Sequence, residues 1–212
     1  MRWKLYIFDL DGTLADTRKD LAAAVNYARK KLGFPPLSLD QISSFVGDGI
    51  NKLLERSFPG CSHEQLIVAK HYFDDYYGQH LVVETRLYPG VREVLHSLNG
   101  AMCAVLSNKA QEFTAEIVEK LGLKSHFKLI LGSGNVLPRK PSPEPVQYIL
   151  TQLQISPESA MMVGDTRNDI LAGKIAGVTT CGVSYGFRSR QQLEEFKPDF
   201  LIDDIRELLK LI

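Results

Sequence analysis

The chain has 212 residues, with 25 Lys and Arg against 25 Asp and Glu, so its formal net charge is zero. That balance argues against a nucleic-acid-binding protein, which carries a basic excess or stripe. No run approaches the ~18 apolar residues of a membrane span, and three scattered cysteines without a CxxC exclude a disulfide framework and a zinc knuckle.

Residues 3–10 are an apolar run ending in Asp9-Leu10-Asp11-Gly12-Thr13, which reads as a buried strand stopped by a turn. From 16 to 82 the texture is helical. Apolar spacing predicts a helix over 20–32, closed by Gly33 and Pro35-Pro36. Ser38 with Gln41 reads as a capping box for a short helix to Phe45. Gly47-Asp48-Gly49 breaks the pattern, which resumes over 50–58 and over 62–77. After Tyr88-Pro89-Gly90, helices at 91–98, 110–121, 143–153 and 168–176 alternate with strands at 102–106, 127–131, 160–163 and 180–183. Helical segments are expected to finish the chain. Such alternation makes parallel strands joined by crossovers. The expected fold is α/β: a doubly wound parallel sheet, a Rossmann-like core formed by 1–15 and 83–212, with an all-helical cap, 16–82, inserted after the first strand.

Cys103 and Cys181 lie in the apolar strand runs, where free cysteine acts as a small hydrophobe. The apolar stretch 5–8 is too short for a signal-peptide core. A cytoplasmic setting is therefore expected, with no membrane or nucleic-acid partner. Monomer and dimer both remain open.

In open parallel sheets, ligands bind beyond the carboxyl ends of the strands. Four polar pieces fall there: Asp9-Leu10-Asp11-Gly12-Thr13, Ser107-Asn108-Lys109, Lys140-Pro141, and Gly164-Asp165-Thr166-Arg167-Asn168-Asp169. Singly, each has a plain structural reading. Asp-Gly makes turns, Ser-Asn caps helices, Lys140 reads as an ordinary lysine solvated by water, and an Asp pair suits a helix N-terminus. Together and in this order they point to chemistry.

These four elements resemble the haloacid dehalogenase-like superfamily of phosphatases over the whole chain, and the helical insertion resembles the cap of one of its branches. Within it, Phe45-Val46-Gly47-Asp48-Gly49, Leu87-Tyr88-Pro89-Gly90-Val91, Ser107-Asn108-Lys109 and Tyr185-Gly186-Phe187 look most like phosphoglycolate phosphatases. Ser107 stands where close members often have Thr; either hydroxyl can serve. The resemblance implies hydrolysis of a small phosphorylated metabolite, 2-phosphoglycolate first, through an aspartyl-phosphate on Asp9. Asp11 is implied as the acid and then the base, and Lys140 as the partner of Asp9 and the phosphate. It implies Mg²⁺ held by the Asp9 and Asp165 side chains and the Asp11 carbonyl, with Asp169 behind them. Thr13, the Ser107 hydroxyl and the Asn108 amide are implied phosphate contacts.

Elementary electrostatics supports a cation. Two carboxylates ~4 Å apart repel by roughly 4 kcal/mol at an effective dielectric near 20, and oxygen ligands around a phosphate suit Mg²⁺. Gly47, Asp48 and Gly49 are the expected cap contacts to substrate, because they interrupt a helical pattern beside Asn51 and Lys52. Three other functions use similar parts: a sugar-phosphate mutase, a pyrophosphatase, and a phospho-aspartate switch. The cap and the second aspartate weigh against the switch, which needs a long-lived acyl phosphate.

Overall fold

The computed structural model describes residues 2–134 and 137–211. In chain order, β1 (Leu5–Phe8) and β2 (Ala15–Asp16) precede four helices, α1 (Arg18–Lys31), α2 (Leu39–Phe45), α3 (Ile50–Ser57) and α4 (His63–Gln79). The chain returns through β3 (Arg86–Leu87) and then alternates. α5 (Val91–Ser97) leads to β4 (Met102–Ala110), and α6 (Gln111–Lys120) leads to β5 (Leu129–Ser133). α7 (Glu144–Leu153), β6 (Ala160–Gly164), α8 (Arg167–Ala176) and β7 (Thr179–Val183) follow, then α9 (Arg190–Glu194), β8 (Phe200–Ile202) and a 3₁₀ turn at Ile205–Lys210.

Six strands form one parallel sheet in the order β5-β4-β1-β6-β7-β8. β1 lies inside it and is buried along its whole length, so it is apolar on both faces. Its period of two divides the core. Tyr6 and Phe8 pack with Trp3, Val105 and Val163 beneath α5 and α6, whereas Leu5 and Ile7 pack with Leu106 and Met162 beneath α7 and α8. The chain grows from β1 out to β5, then recrosses β1 to add β6, β7 and β8. The carboxyl ends of β1, β4 and β6 are therefore the switch point where such sheets take ligands.

The four helices between β2 and β3 are the helical cap. β2 and β3 pair antiparallel, Ala15 with Leu87 and Asp16 with Arg86, where the chain leaves and re-enters the core. Buried Asp20 secures the return: its carboxylate accepts the N–H of Val83 at 3.0 Å, and the N–H and hydroxyl of Thr85 at 2.8 and 2.7 Å. The expected box at Ser38 and Gln41 caps α2.

Two expectations need correcting. The C-terminal segment is not all helical, because β8 joins the sheet edge with Phe200 opposite Cys181. Three residues are too few to show a period; Asp199, accepting the N–H and hydroxyl of Thr180 at 2.7 and 2.8 Å, ties the strand in place. Secondly, the strand expected over 102–106 does not stop there, so Ser107-Asn108 does not stand at a helix start. β4 continues to Ala110 with a register shift between Leu106 and Ala110, so this stretch is irregular extended chain, a device that re-aims side chains.

Candidate active site

Asp9 directly follows β1 and is buried. The Lys140 ammonium lies 3.0 Å from its carboxylate and 2.6 Å from that of Asp169, and also donates to the Leu106 carbonyl at 2.6 Å. Asp169 is aimed by its helix: in the capping box of α8, its second oxygen accepts the Thr166 N–H at 3.0 Å and hydroxyl at 2.6 Å. Asp165, just past β6, accepts the Phe187 N–H at 2.7 Å and faces the Thr13 hydroxyl at 3.5 Å. Gly12 is required beside it. Its φ is +85°, and an added Cβ would sit 2.2 Å from an Asp165 oxygen.

Asp9, Asp165 and Asp169 each offer an oxygen within 4.8 Å of the others, and all three are buried. Burial pushes the Asp9 carboxyl up to about 7, against the pull of Lys140 and with added repulsion from Asp169 and Asp11. Burial also drives Asp165 well above the usual carboxylate range, helped by Asp9 and Asp169. Burial alone would lower Lys140, but Asp169 and Asp9 hold it above its ordinary value. The cluster is thus short of positive charge even with Lys140 present. Its hard oxygen donors fit a divalent cation such as Mg²⁺.

Asp11 turns the other way, toward the Lys109 ammonium at 3.2 Å and the Thr17 hydroxyl at 2.6 Å. Its side chain stands apart from the acidic triad, so only its carbonyl is left for a metal role. A cavity of about 70 Å³ opens beside it between core and cap. Asp9, Asp11 and Ser107 line it from the core, and Gly49, Phe73 and Tyr77 from the cap.

The structure brings together Asp9, Asp11, Lys140, Asp165, Asp169, Ser107 and Asn108, with Gly47 and Gly49 on the cavity wall. Two side chains depart from expectation. Asp48 is turned to Arg56 at 2.5 Å and to the Asn168 amide at 2.7 Å, so the glycines on either side line the cavity instead. Thr13 faces Asp165 and supports that carboxylate. The Asn108 side-chain amide is committed to the scaffold, donating to the Gly47 and Lys140 carbonyls and accepting the Lys140 N–H, each at 2.9 Å. The phosphate contact expected of Asn108 is its backbone N–H, which is a different group from this side-chain amide.

Four residues at the site were given no role from the sequence. Asn168 and Arg188 hold the cap loop: Asn168 donates to the Gly47 carbonyl at 3.1 Å, and Arg188 to those of Ser44 and Val46 at 3.1 and 2.7 Å. Lys109 and Tyr77 meet across the cap–core boundary at 2.8 Å. The only available signal for Lys109 was its place next to Ser107-Asn108.

A family model described as haloacid dehalogenase-like hydrolase matches residues 6–183. A phosphoglycolate phosphatase of Vibrio cholerae serotype O1 is 36% identical, over 99% of this chain and 96% of that one. A phosphoglycolate phosphatase of Neisseria meningitidis serogroup A is 38% identical, over 95% and 90%. The crystal structure of a protein from Haemophilus somnus 129pt, described as a predicted phosphoglycolate phosphatase, superposes with a TM-score of 0.94 at 32% identity, covering 100% of this chain and 98% of that one.

Proposed function

The chain belongs to the haloacid dehalogenase-like hydrolase family, and on that footing we propose that it hydrolyses 2-phosphoglycolate with Mg²⁺, through an aspartyl-phosphate on Asp9. Relatives over nearly its full length make it a phosphoric monoester hydrolase; the substrate, metal and mechanism are our reading. One observation carries it: a buried aspartate paired with Lys140 at 3.0 Å, on the wall of a small cavity shared with a second carboxyl held by different partners.

Asp9 and Asp165 side chains and the Asp11 carbonyl would hold Mg²⁺, with Asp169 fixing Lys140 behind them. When bound, the ion neutralises phosphate and carboxylate charge. An Asp9 oxygen attacks phosphorus and the bond to the ester oxygen breaks. The leaving oxygen keeps that electron pair and takes a proton from the Asp11 carboxyl. Asp11, now a carboxylate, then removes a proton from water as it attacks the phosphoryl group. The bond to Asp9 breaks, the Asp9 carboxylate is restored, and inorganic phosphate leaves. The Ser107 hydroxyl and the backbone N–H of Asn108 hold phosphate oxygens. Catalysis is mainly positioning and charge neutralisation. A cavity of about 70 Å³ suits a two- or three-carbon ester better than a nucleotide.

The test is Asp9→Asn, whose amide cannot form the acyl phosphate. Phosphate release should vanish, and chelation of Mg²⁺ should stop the unaltered protein reversibly. Full activity in Asp9→Asn would overturn the mechanism.

A further inference from the structure

We propose that Lys109 is the residue that reads the carboxylate on the ester carbon of the substrate and so sets the preference for such an ester over one that lacks it. This rests on the phosphatase reading above and deepens it, from the named substrate to the side chain that recognises its organic end.

An acid that protonates the leaving oxygen must touch it, so the ester oxygen lies against Asp11. Any group on the ester carbon then meets what surrounds Asp11. The Lys109 ammonium is there, 3.2 Å from Asp11 and 2.8 Å from the Tyr77 hydroxyl. It also lies 4.6 Å from the centre of the Tyr77 ring. An ammonium has three N–H donors. Two are directed at these oxygens, which leaves one for a ligand.

Burial sharpens the discrimination. The Lys109 side chain is only 7% exposed, and it lines the cavity with Leu53, Phe73 and Phe113. Beside these apolar side chains a carboxylate is costly to desolvate, and an opposing cation offsets part of that cost only where the geometry is good. Lys70, the other lysine lining the cavity, is 44% exposed, so water screens its charge far more than that of Lys109. Nor is Lys109 needed to orient Asp11, which the Thr17 hydroxyl already holds at 2.6 Å. Tyr77 comes from α4, so the carboxylate subsite is complete only with the cap on the core.

The experiment compares 2-phosphoglycolate with ethyl phosphate, which keeps the two carbons and the phosphate but lacks the carboxylate. kcat and KM are measured for the unaltered protein, Lys109→Gln and Lys109→Arg. The unaltered protein should prefer 2-phosphoglycolate, and 2-phospholactate should follow it. Lys109→Gln should cut that preference by about 100-fold, chiefly through KM, with Lys109→Arg keeping part of it. If Lys109→Gln lowers both esters equally, Lys109 acts only through Asp11 and the proposal is wrong. Should Lys109→Gln not fold, the unaltered protein decides: a preference below about tenfold overturns the assignment. Failure of the phosphatase reading looks different, since no ester of any kind would then release phosphate.

Discussion

Asp9 and Asp11 stand two residues apart and meet different cations, Lys140 at 3.0 Å and Lys109 at 3.2 Å. That separation lets one carboxyl act as nucleophile while its neighbour handles protons. Asp11→Asn keeps the carbonyl but loses the proton, so it should slow 2-phosphoglycolate hydrolysis by about 10²–10⁴-fold. The loss with p-nitrophenyl phosphate, whose leaving group needs little protonation, should be smaller; steady-state rates on both esters check this. Asp165 shows the opposite economy. It is crowded by Asp9 and Asp169, so Asp165→Asn should stabilise the metal-free protein by about 1–2 kcal/mol, or about 2–8 °C for a chain of this size. The same change should abolish the rise in Tm on adding Mg²⁺. Thermal melts in chelator and in Mg²⁺ measure both effects. The motif aspartates were legible because each sits at the end of an apolar run. Lys140 is implied as the partner of Asp9 only by the family resemblance, and Lys109 as the partner of Asp11 was not legible at all, since it comes from a distant part of the chain.

The turn between α2 and α3 shows how one element links cap to core. Asn108, Asn168 and Arg188 together donate five hydrogen bonds to carbonyls of Ser44, Val46 and Gly47 and the carboxylate of Asp48, from 2.7 to 3.1 Å. Each hydrogen bond contributes about 0.5–1.5 kcal/mol net, so the turn is held firmly. Arg188→Ala should raise KM several-fold and speed amide exchange at residues 43–49, while exchange in β1 stays slow; hydrogen-exchange mass spectrometry reads both. Gly49 has φ +85°, and an added Cβ would lie 3.2 Å from the Asn108 carbonyl. Gly49→Ala should therefore cost about 1–3 kcal/mol from its positive-φ extended backbone alone, and lower activity on every ester because it displaces the whole turn. A melt with paired ester assays is the check. The break in helical pattern was visible in the sequence; the direction of Asp48 was not, because Arg56 and Asn168 set it.

Across the whole molecule, the sheet separates two cores, and the first of them continues into the cap helices. Cys103 and Cys181 are buried in the sheet, and burial pushes both thiols up to about 12, whereas Cys61 is half-buried in the cap. A thiol reagent should therefore label Cys61 alone in the native protein and all three in denaturant, read by mass spectrometry. The parallel sheet, the helical insertion and the strand-end motifs followed from features local to the chain: apolar periods of 2 and 3.6, Gly and Pro breaks, and charge at the ends of apolar runs. Backbone geometry sets those periods wherever the segment ends up, so they can be read without the fold. The edge strand β8, the bulge that aims Lys109, the scaffold role of the Asn108 amide and the grip of Arg188 on the cap turn could not. Each depends on distances of about 3 Å between residues far apart in sequence, and no spacing along one segment encodes them.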